Sequence, residues 1–389
     1  MSWSPFKPDI IEDPANGHQH LLRECPVHHC EEFDPPFYTL SRYADVEEAL
    51  RDIETYSSHW GQGPRFTEPA GMLSDPPQHT VYRKLIQQAF TPKAVEALRP
   101  QVEALTDSLI DDILAGPAEF DFHDQFAFPL PVIIIAGMLG VPSSDLEQFK
   151  VWSDMQVDIM GSEDPTKYMD EQMKFQEYMF NHMMNRRSEL ESGVEVPDDL
   201  LTLVAGAKQE EGDYIPDGDA LSMLNQLLVG GNETTTSLIT NLMWRLLEEP
   251  ARWQMILDDA SLIEGAVEES LRFDPPVLGL YRNNTRDVEL HCQVIPEGNK
   301  VWINYAAANR DPDVFANPDE FDITRPLQRH MAFGLGVHFC IGAPTARLEA
   351  EVALNRLRER LPGLELVNTG ERIGPFFLWG RRKLPLRRV

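Results

Sequence analysis

From Asp217 to Leu247 apolar residues recur at three- and four-residue spacing. This is the pattern of a long helix with a buried face, and a chain built around it must be largely helical. Ala44–Ile53, Pro92–Leu114, Leu262–Arg272 and Ala343–Leu361 repeat the spacing, and Pro275-Pro276 stops one of these soon after Arg272. Strand signals are short and scattered, at Phe37–Leu40, Val288–Leu290 and, after the Pro296-Glu297-Gly298 turn, Lys300–Asn304. So few strands, not alternating with helices, exclude a doubly wound sheet and predict a mainly α chain with small β-sheets, an α+β arrangement. Glu191–Pro197 and Gln209–Gly218 are acidic, contain Gly and Pro, and flank Asp198–Ala207. They read as surface loops on either side of one helix in preference to a domain boundary.

The 389 residues allow two or three domains or one large core. With 34 basic and 63 acidic side chains, a net charge of -29 opposes nucleic acid and anionic membranes. Met1–Pro14 has no apolar signal region. Val132–Val141, the most apolar run, lies between Pro131 and Pro142 and is too short to cross a bilayer. The expectation is a cytoplasmic protein without a membrane anchor.

Four cysteines do not make a disulfide scaffold in a chain of this length. Cys25 and Cys30 surround His28 and His29, but no second Cys/His cluster completes a tetrahedral zinc site. That stretch reads as a surface segment leading to the strand at Phe37, and Cys292 reads as structural. Cys340 is different. Phe333-Gly334-Leu335-Gly336-Val337-His338-Phe339-Cys340-Ile341-Gly342 runs directly into the helix at Ala343. A helix N-terminus favours thiolate over thiol. Gly334, Gly336 and Gly342 let backbone N–H groups approach the sulfur, and Phe333 and Phe339 give apolar cover.

This stretch matches FGxGxHxCxG at every fixed position and resembles the cysteine loop of the bacterial-type cytochromes P450. The resemblance implies a single domain over 1–389, a triangular prism with a long central helix, and haem b between that helix and the one after Cys340. It makes Cys340 the axial iron ligand, supported by Phe333 and Gly342. Further matches follow in the family's order. Glu269-Ser270-Leu271-Arg272 fits ExxR, a structural pair at i, i+3 on one helix face. The family's third partner, usually an Arg, is replaced by Glu320 in Pro318-Asp319-Glu320-Phe321, and Arg325 is the candidate substitute. His79, Arg83, Arg282 and His338 match the contacts to the haem propionates.

Leu227–Thr235, with Thr236 directly after it, places Gly230, Gly231 and a run of three threonines in the long helical pattern, a flaw costing roughly 1 kcal/mol per Gly. It suggests a local opening of the helix. It also resembles the family's [AG]-G-x-[DE]-T. By that likeness Gly231 makes space over the iron, Thr234 hydrogen-bonds oxygen or its water, and Glu233 feeds protons. Taken without the cysteine motif, these residues fit better a Thr234 bonded to its own helix and an exposed Glu233.

The family's substrate regions are apolar here: Trp60–Leu73 with Phe66 and Met72; Met155, Met160, Met169, Met173, Met179, Met183 and Met184; Met223 and Leu227; Val277–Leu280; and Phe376–Leu378. They imply a terpenoid, steroid or fatty-acid-like substrate oxygenated with O2. No Rossmann fingerprint is present, so electrons are expected from a separate ferredoxin with its reductase, docking on Lys84, Lys93, Arg325, Arg329 and Arg347. A peroxide-using peroxygenase and a haem gas sensor or carrier are the alternatives. The intact Glu233-Thr234 pair weighs against both.

Overall fold

A computed structural model describes residues 3–389 except 69, 162–163 and 211. The helices that build the site are α1 (Tyr43–Arg51), α2 (Gln78–Gln87), α3 (Arg99–Ala115), α4 (Pro129–Leu139) and α5 (Leu146–Gly161). They are followed by α6 (Met169–Ser192), α7 (Leu200–Ala205), α8 (Asp217–Glu248), α9 (Ile263–Phe273) and α10 (Ala343–Arg360). Pro92–Leu114 is not one helix: Pro92–Glu96 is separated from α3, whose second residue is Pro100. A proline has no N–H to continue the preceding turn but is well placed in a first turn.

The five-stranded sheet contains β1 (Val27–Cys30), β2 (Phe37–Leu40), β3 (Tyr56–Ser57), β4 (Gly279–Asn284) and β5 (Lys300–Asn304), in the order β1-β2-β5-β4-β3. Only the β2–β5 pair is parallel, with Phe37 opposite Lys300. The Cys25–Cys30 stretch is therefore not a surface segment. Its second half is an edge strand, and Cys30 is buried against the aromatic core. Val288–Leu290 pairs with Gln293–Ile295 across His291 and Cys292, both with positive φ, in a two-residue hairpin. Cys292 is an exposed turn residue.

Two apolar cores share α8. Met223, Leu224, Leu227 and Leu228 pack with residues of α4, α5, α6 and α7. Leu238, Leu242 and Leu246 pack with Val267 and Leu271 of α9 and Leu348 and Val352 of α10. Burying each such side chain contributes about 1.5–3 kcal/mol, and the several on α8 together outweigh the two glycines at about 1 kcal/mol each. Hence α8 runs unbroken from Asp217 to Glu248, and the expected opening of the helix is not there. The short helix α7 buries Leu200, Leu201, Val204 and Ala205 in the first of these cores, so its flanking segments are loops around a packed helix. No helix among the described residues is long and apolar enough to cross a membrane.

Candidate active site

Between the two cores, the small and polar middle of α8 faces the loop of Cys340 across a cavity of about 310 Å³. His79, Arg83, Gly231, Thr234, Arg282, Phe333, His338, Cys340 and Gly342 all line it. Each arrives by simple periodicity. On α2, His79 and Arg83 are one turn apart on one face. On β4, Leu280 and Arg282 alternate into the cavity, while Tyr281 between them packs against Phe37 and Trp302.

The loop before α10 is folded tightly. Gly334 and Gly336 have φ of +65° and +71°, and a Cβ on Gly336 would lie 2.7 Å from the Leu50 carbonyl oxygen. Cys340 N–H donates to the Phe333 carbonyl at 2.9 Å. The helix end does not by itself make the sulfur a thiolate. Burial pushes the Cys340 thiol up, and the N–H groups of Gly342 and Ala343, with the charges of Arg83 and Arg347, offset this only in part.

One corner of the cavity is strongly cationic. The rings of His79 and His338 are 4.2 Å apart, beside Arg83 and the buried Arg282. Among the described residues none of the four makes an ion pair. Burial and the neighbouring positive charges of Arg282, His79 and Arg83 hold His338 down at about 2. Burial and Arg83 lower His79, whose Nδ1 is buried without a partner.

The comparisons with known proteins decide what this arrangement belongs to. A family model described as Cytochrome P450 matches residues 135–361. Cytochrome P450 107B1 of Saccharopolyspora erythraea is 40% identical over 370 residues, covering 90% of this chain and 89% of that one. The chain belongs to the cytochrome P450 family. The Vitamin D(3) 25-hydroxylase of Pseudonocardia autotrophica is 36% identical, with 93% of this chain and 89% of that one covered. The structure of cytochrome P450 CYP109Q5 from Chondromyces apiculatus superposes with a TM-score of 0.88 at 33% identity, over 100% and 98% of the two chains.

The chain is thus a cytochrome P450 monooxygenase with haem as cofactor, and its residues fit that group. The buried cationic corner would suit two carboxylates, the unpartnered His79 Nδ1 could pair with one of them, and Cys340 would offer a sulfur to the iron. When bound, haem supplies an iron that activates O2 for insertion into a C–H bond.

On α8 this P450 departs in part from the sequence expectation. A Cβ on Gly231 would meet Ile135 of α4 at 2.7 Å, whereas nothing lies within 4 Å of one on Gly230. Gly231 lets two helices approach, and Gly230 leaves the space. Thr234 Oγ1 donates to the Gly230 carbonyl at 2.8 Å, yet the side chain still lines the cavity. Glu233 does not line it. It is buried on another side of α8, where Ser237 donates to Oε1 at 3.3 Å; burial, then the charge of Asp154, pushes its carboxyl up to about 8.

Arg272 and Glu269 form a buried two-pronged pair with both contacts at 2.8 Å. Arg325 supplies the third member, as expected, and so is not a free surface cation. Arg347 is likewise engaged, donating to Glu268 at 2.6 and 2.9 Å and lying over Phe333 at 4.6 Å. Lys84, Lys93 and Arg329 remain exposed, with Arg329 3.4 Å from Glu47.

The methionine-rich stretch does not line the cavity. Met155, Met179 and Met183 fill the core with Phe149, Trp152 and Phe175, and Met169, Met173 and Met184 are exposed. Met160's side chain lies outside the described residues. Phe66, Met223, Leu227 and Phe376–Leu378 do not line it either, whereas Met72, Val277 and Leu280 do. The remaining wall, Ile134, Ile135 and Met138 of α4, is apolar on both faces and gave no sequence signal of its role. Gln62, Tyr305 and Glu349 were also missed. Glu349 lies on α10 four residues beyond Thr345 and three beyond Ala346, which also line the cavity, so it shares their face.

Proposed function

We propose that this P450 hydroxylates a mostly apolar small organic molecule of terpenoid, steroid or fatty-acid-like type, taking electrons from a separate ferredoxin and its reductase. The observation that carries the reading is the placement of Thr234 and Cys340 on facing walls of one cavity, with Ile134, Ile135, Val277, Leu280 and Met72 around the space between. Cys340 would hold the haem iron through its sulfur, and His79, Arg83, Arg282 and His338 would hold the haem carboxylates. Apolar walls bind the substrate by excluding water. Thr234 would orient a water in the cavity with the lone pairs left free by its bond to Gly230, and neutral Glu233 would be the proton reservoir on the other side of α8. The similarity to the Vitamin D(3) 25-hydroxylase of Pseudonocardia autotrophica supports hydroxylation.

The whole chain, 1–389, is proposed to act as one domain, because α8 contributes to both apolar cores and the cavity lies between them. Lys84, Lys93 and Arg329 are the proposed contacts for an acidic donor. The test is product formation from a panel of terpenes, steroids and fatty acids, with ferredoxin and reductase or with peroxide alone. Product with the donor proteins only supports the reading. Product with peroxide only makes the enzyme a peroxygenase, and haem without product makes it a sensor or carrier.

A further inference from the structure

The segment that walls the cavity beside β4 is fixed more firmly than a surface loop requires. Lys300, on β5, is fully buried, and its ammonium donates to the carbonyls of Trp60 at 2.6 Å and Gly61 at 2.9 Å. Trp60 O also accepts from Thr67 N–H at 3.1 Å, and Gln62 O accepts from Tyr281 N–H at 2.9 Å. Three successive carbonyls are therefore held from the sheet side. The far end of the segment is held by α8. Asp219 accepts from Gly71 N–H at 2.8 Å, and Gln226 bridges Met72 N–H at 3.0 Å and Ala70 O at 2.9 Å.

A buried lysine is costly in this place. Burial and the nearby Arg282 pull it down to about 8, and such a group persists where it fixes something that matters. What it fixes is the backbone around Gln62. That side chain lines the cavity, makes no hydrogen bond among the described residues, and has its amide nitrogen buried without a partner. An amide left unpaired costs free energy unless the bound molecule pairs with it.

Resting on the reading of the cavity as an apolar-substrate site, we propose that Gln62 hydrogen-bonds an oxygen function, a carbonyl or hydroxyl, of the substrate, and that Lys300 is the positioning residue that presents it. The enzyme then selects mono-oxygenated apolar skeletons over the parent hydrocarbons. A carboxylate of haem offers the same acceptor chemistry, and the experiment separates the two.

Cyclododecanone and cyclododecane, and 2-decalone and decalin, are titrated into the haem-loaded protein by calorimetry, with haem content measured in parallel. The wild type should bind each ketone about tenfold more tightly than its hydrocarbon, the scale of one satisfied polar group. Gln62→Leu should bring the ratio close to one while hydrocarbon affinity and haem content hold. Lys300→Met should lower the ratio in the same direction, a change that a merely stabilising lysine would not produce. An unchanged ratio in Gln62→Leu overturns the proposal. Loss of haem with the ratio unchanged overturns it in favour of a haem carboxylate as partner. A falling ratio in Gln62→Leu but not in Lys300→Met overturns the role of Lys300. Binding of neither hydrocarbon nor ketone by the wild type overturns the apolar-substrate reading, and this inference with it.

Discussion

Arg325 places its Nε 3.2 and 3.1 Å from the two carboxylate oxygens of Glu269, a residue already gripped by Arg272 from its own helix. The other nitrogens of Arg325 bond the carbonyls of Ala316, Asn317 and Glu320, and Arg272 bonds those of Asn309, Pro318 and Glu320. One carboxylate and two guanidiniums thus fix the chain that leads toward the Cys340 loop.

Removing Arg325 leaves Glu269 paired with Arg272 but takes a charged donor from the carboxylate and from three carbonyls, hydrogen bonds worth about 1.5–3 kcal/mol each. Arg325→Ala should therefore lower the unfolding midpoint by several degrees and reduce haem retention. Arg325→Lys should recover only part of this, since an ammonium cannot reach the carboxylate and three carbonyls together. Thermal unfolding of the three proteins checks it; equal midpoints would remove the structural role.

How far the sequence carried these conclusions depended on whether a residue acts through its neighbours in the chain. The positions of Cys340 and of His79 with Arg83 on the cavity, and the pairing of Glu269 with Arg272, were legible because each follows from local spacing. The course of α8 was misjudged for the opposite reason: Gly230 and Gly231 weaken an isolated helix, but Leu224, Leu228, Leu238 and Leu242 are anchored by partners far away in sequence. Lys300 reaches the carbonyls of Trp60 and Gly61, 240 and 239 positions away, from a strand placed there by the pairing of β5 with β4. Nothing in either local sequence announces that contact.

Cys340→His should abolish the red-shifted Soret band of the reduced carbon monoxide complex, even where haem remains bound. An absorption spectrum decides it, and persistence of the band would remove Cys340 as the ligand.

Glu268 gives an acid-stability prediction. Burial raises its carboxyl, but the bonds and charges of His330 and Arg347 more than reverse this and bring it to about 2. A depressed folded value contributes stability above the ordinary value near 4.5, and this is lost as pH falls toward 2. The contribution is on the order of 3 kcal/mol. Glu268→Gln should lower the midpoint at pH 7 and flatten its decline between pH 5 and 3. Parallel curves for both proteins would contradict the linkage.

Charge changes on the proposed donor face should divide by how each cation is held. Lys84→Ala and Lys93→Ala should slow reduction by ferredoxin at low ionic strength, with the deficit shrinking as salt rises. Arg347→Ala should instead lower stability, because Arg347 is tied to Glu268 and packed on Phe333. Stopped-flow reduction across a salt series separates the two classes. Salt-independent rates in all variants would move the docking site elsewhere.

Thr234 and Glu233 carry the remaining prediction, because the two neighbours have opposite surroundings. Thr234 faces the cavity with its hydroxyl proton given to Gly230 O, so it offers lone pairs and acts as an acceptor. Thr234→Ser should therefore keep product coupled to electron consumption, while Thr234→Ala should divert reducing equivalents into peroxide. Glu233 is held neutral at pH 7 by burial, with its carboxyl at about 8. As pH rises through 8 it loses the proton it would supply, so wild-type turnover should fall over that range. Glu233→Gln keeps the shape but has no proton to give. Its turnover should drop by about 10²-fold or more at pH 7, the lower end of what a general acid contributes, and lose the decline near pH 8. Product and peroxide per reducing equivalent, measured from pH 6 to 9 in each variant, test both residues. Full coupling in Thr234→Ala together with fast turnover in Glu233→Gln would leave the middle of α8 a packing feature, with Gly231 seating Ile135 as its whole purpose.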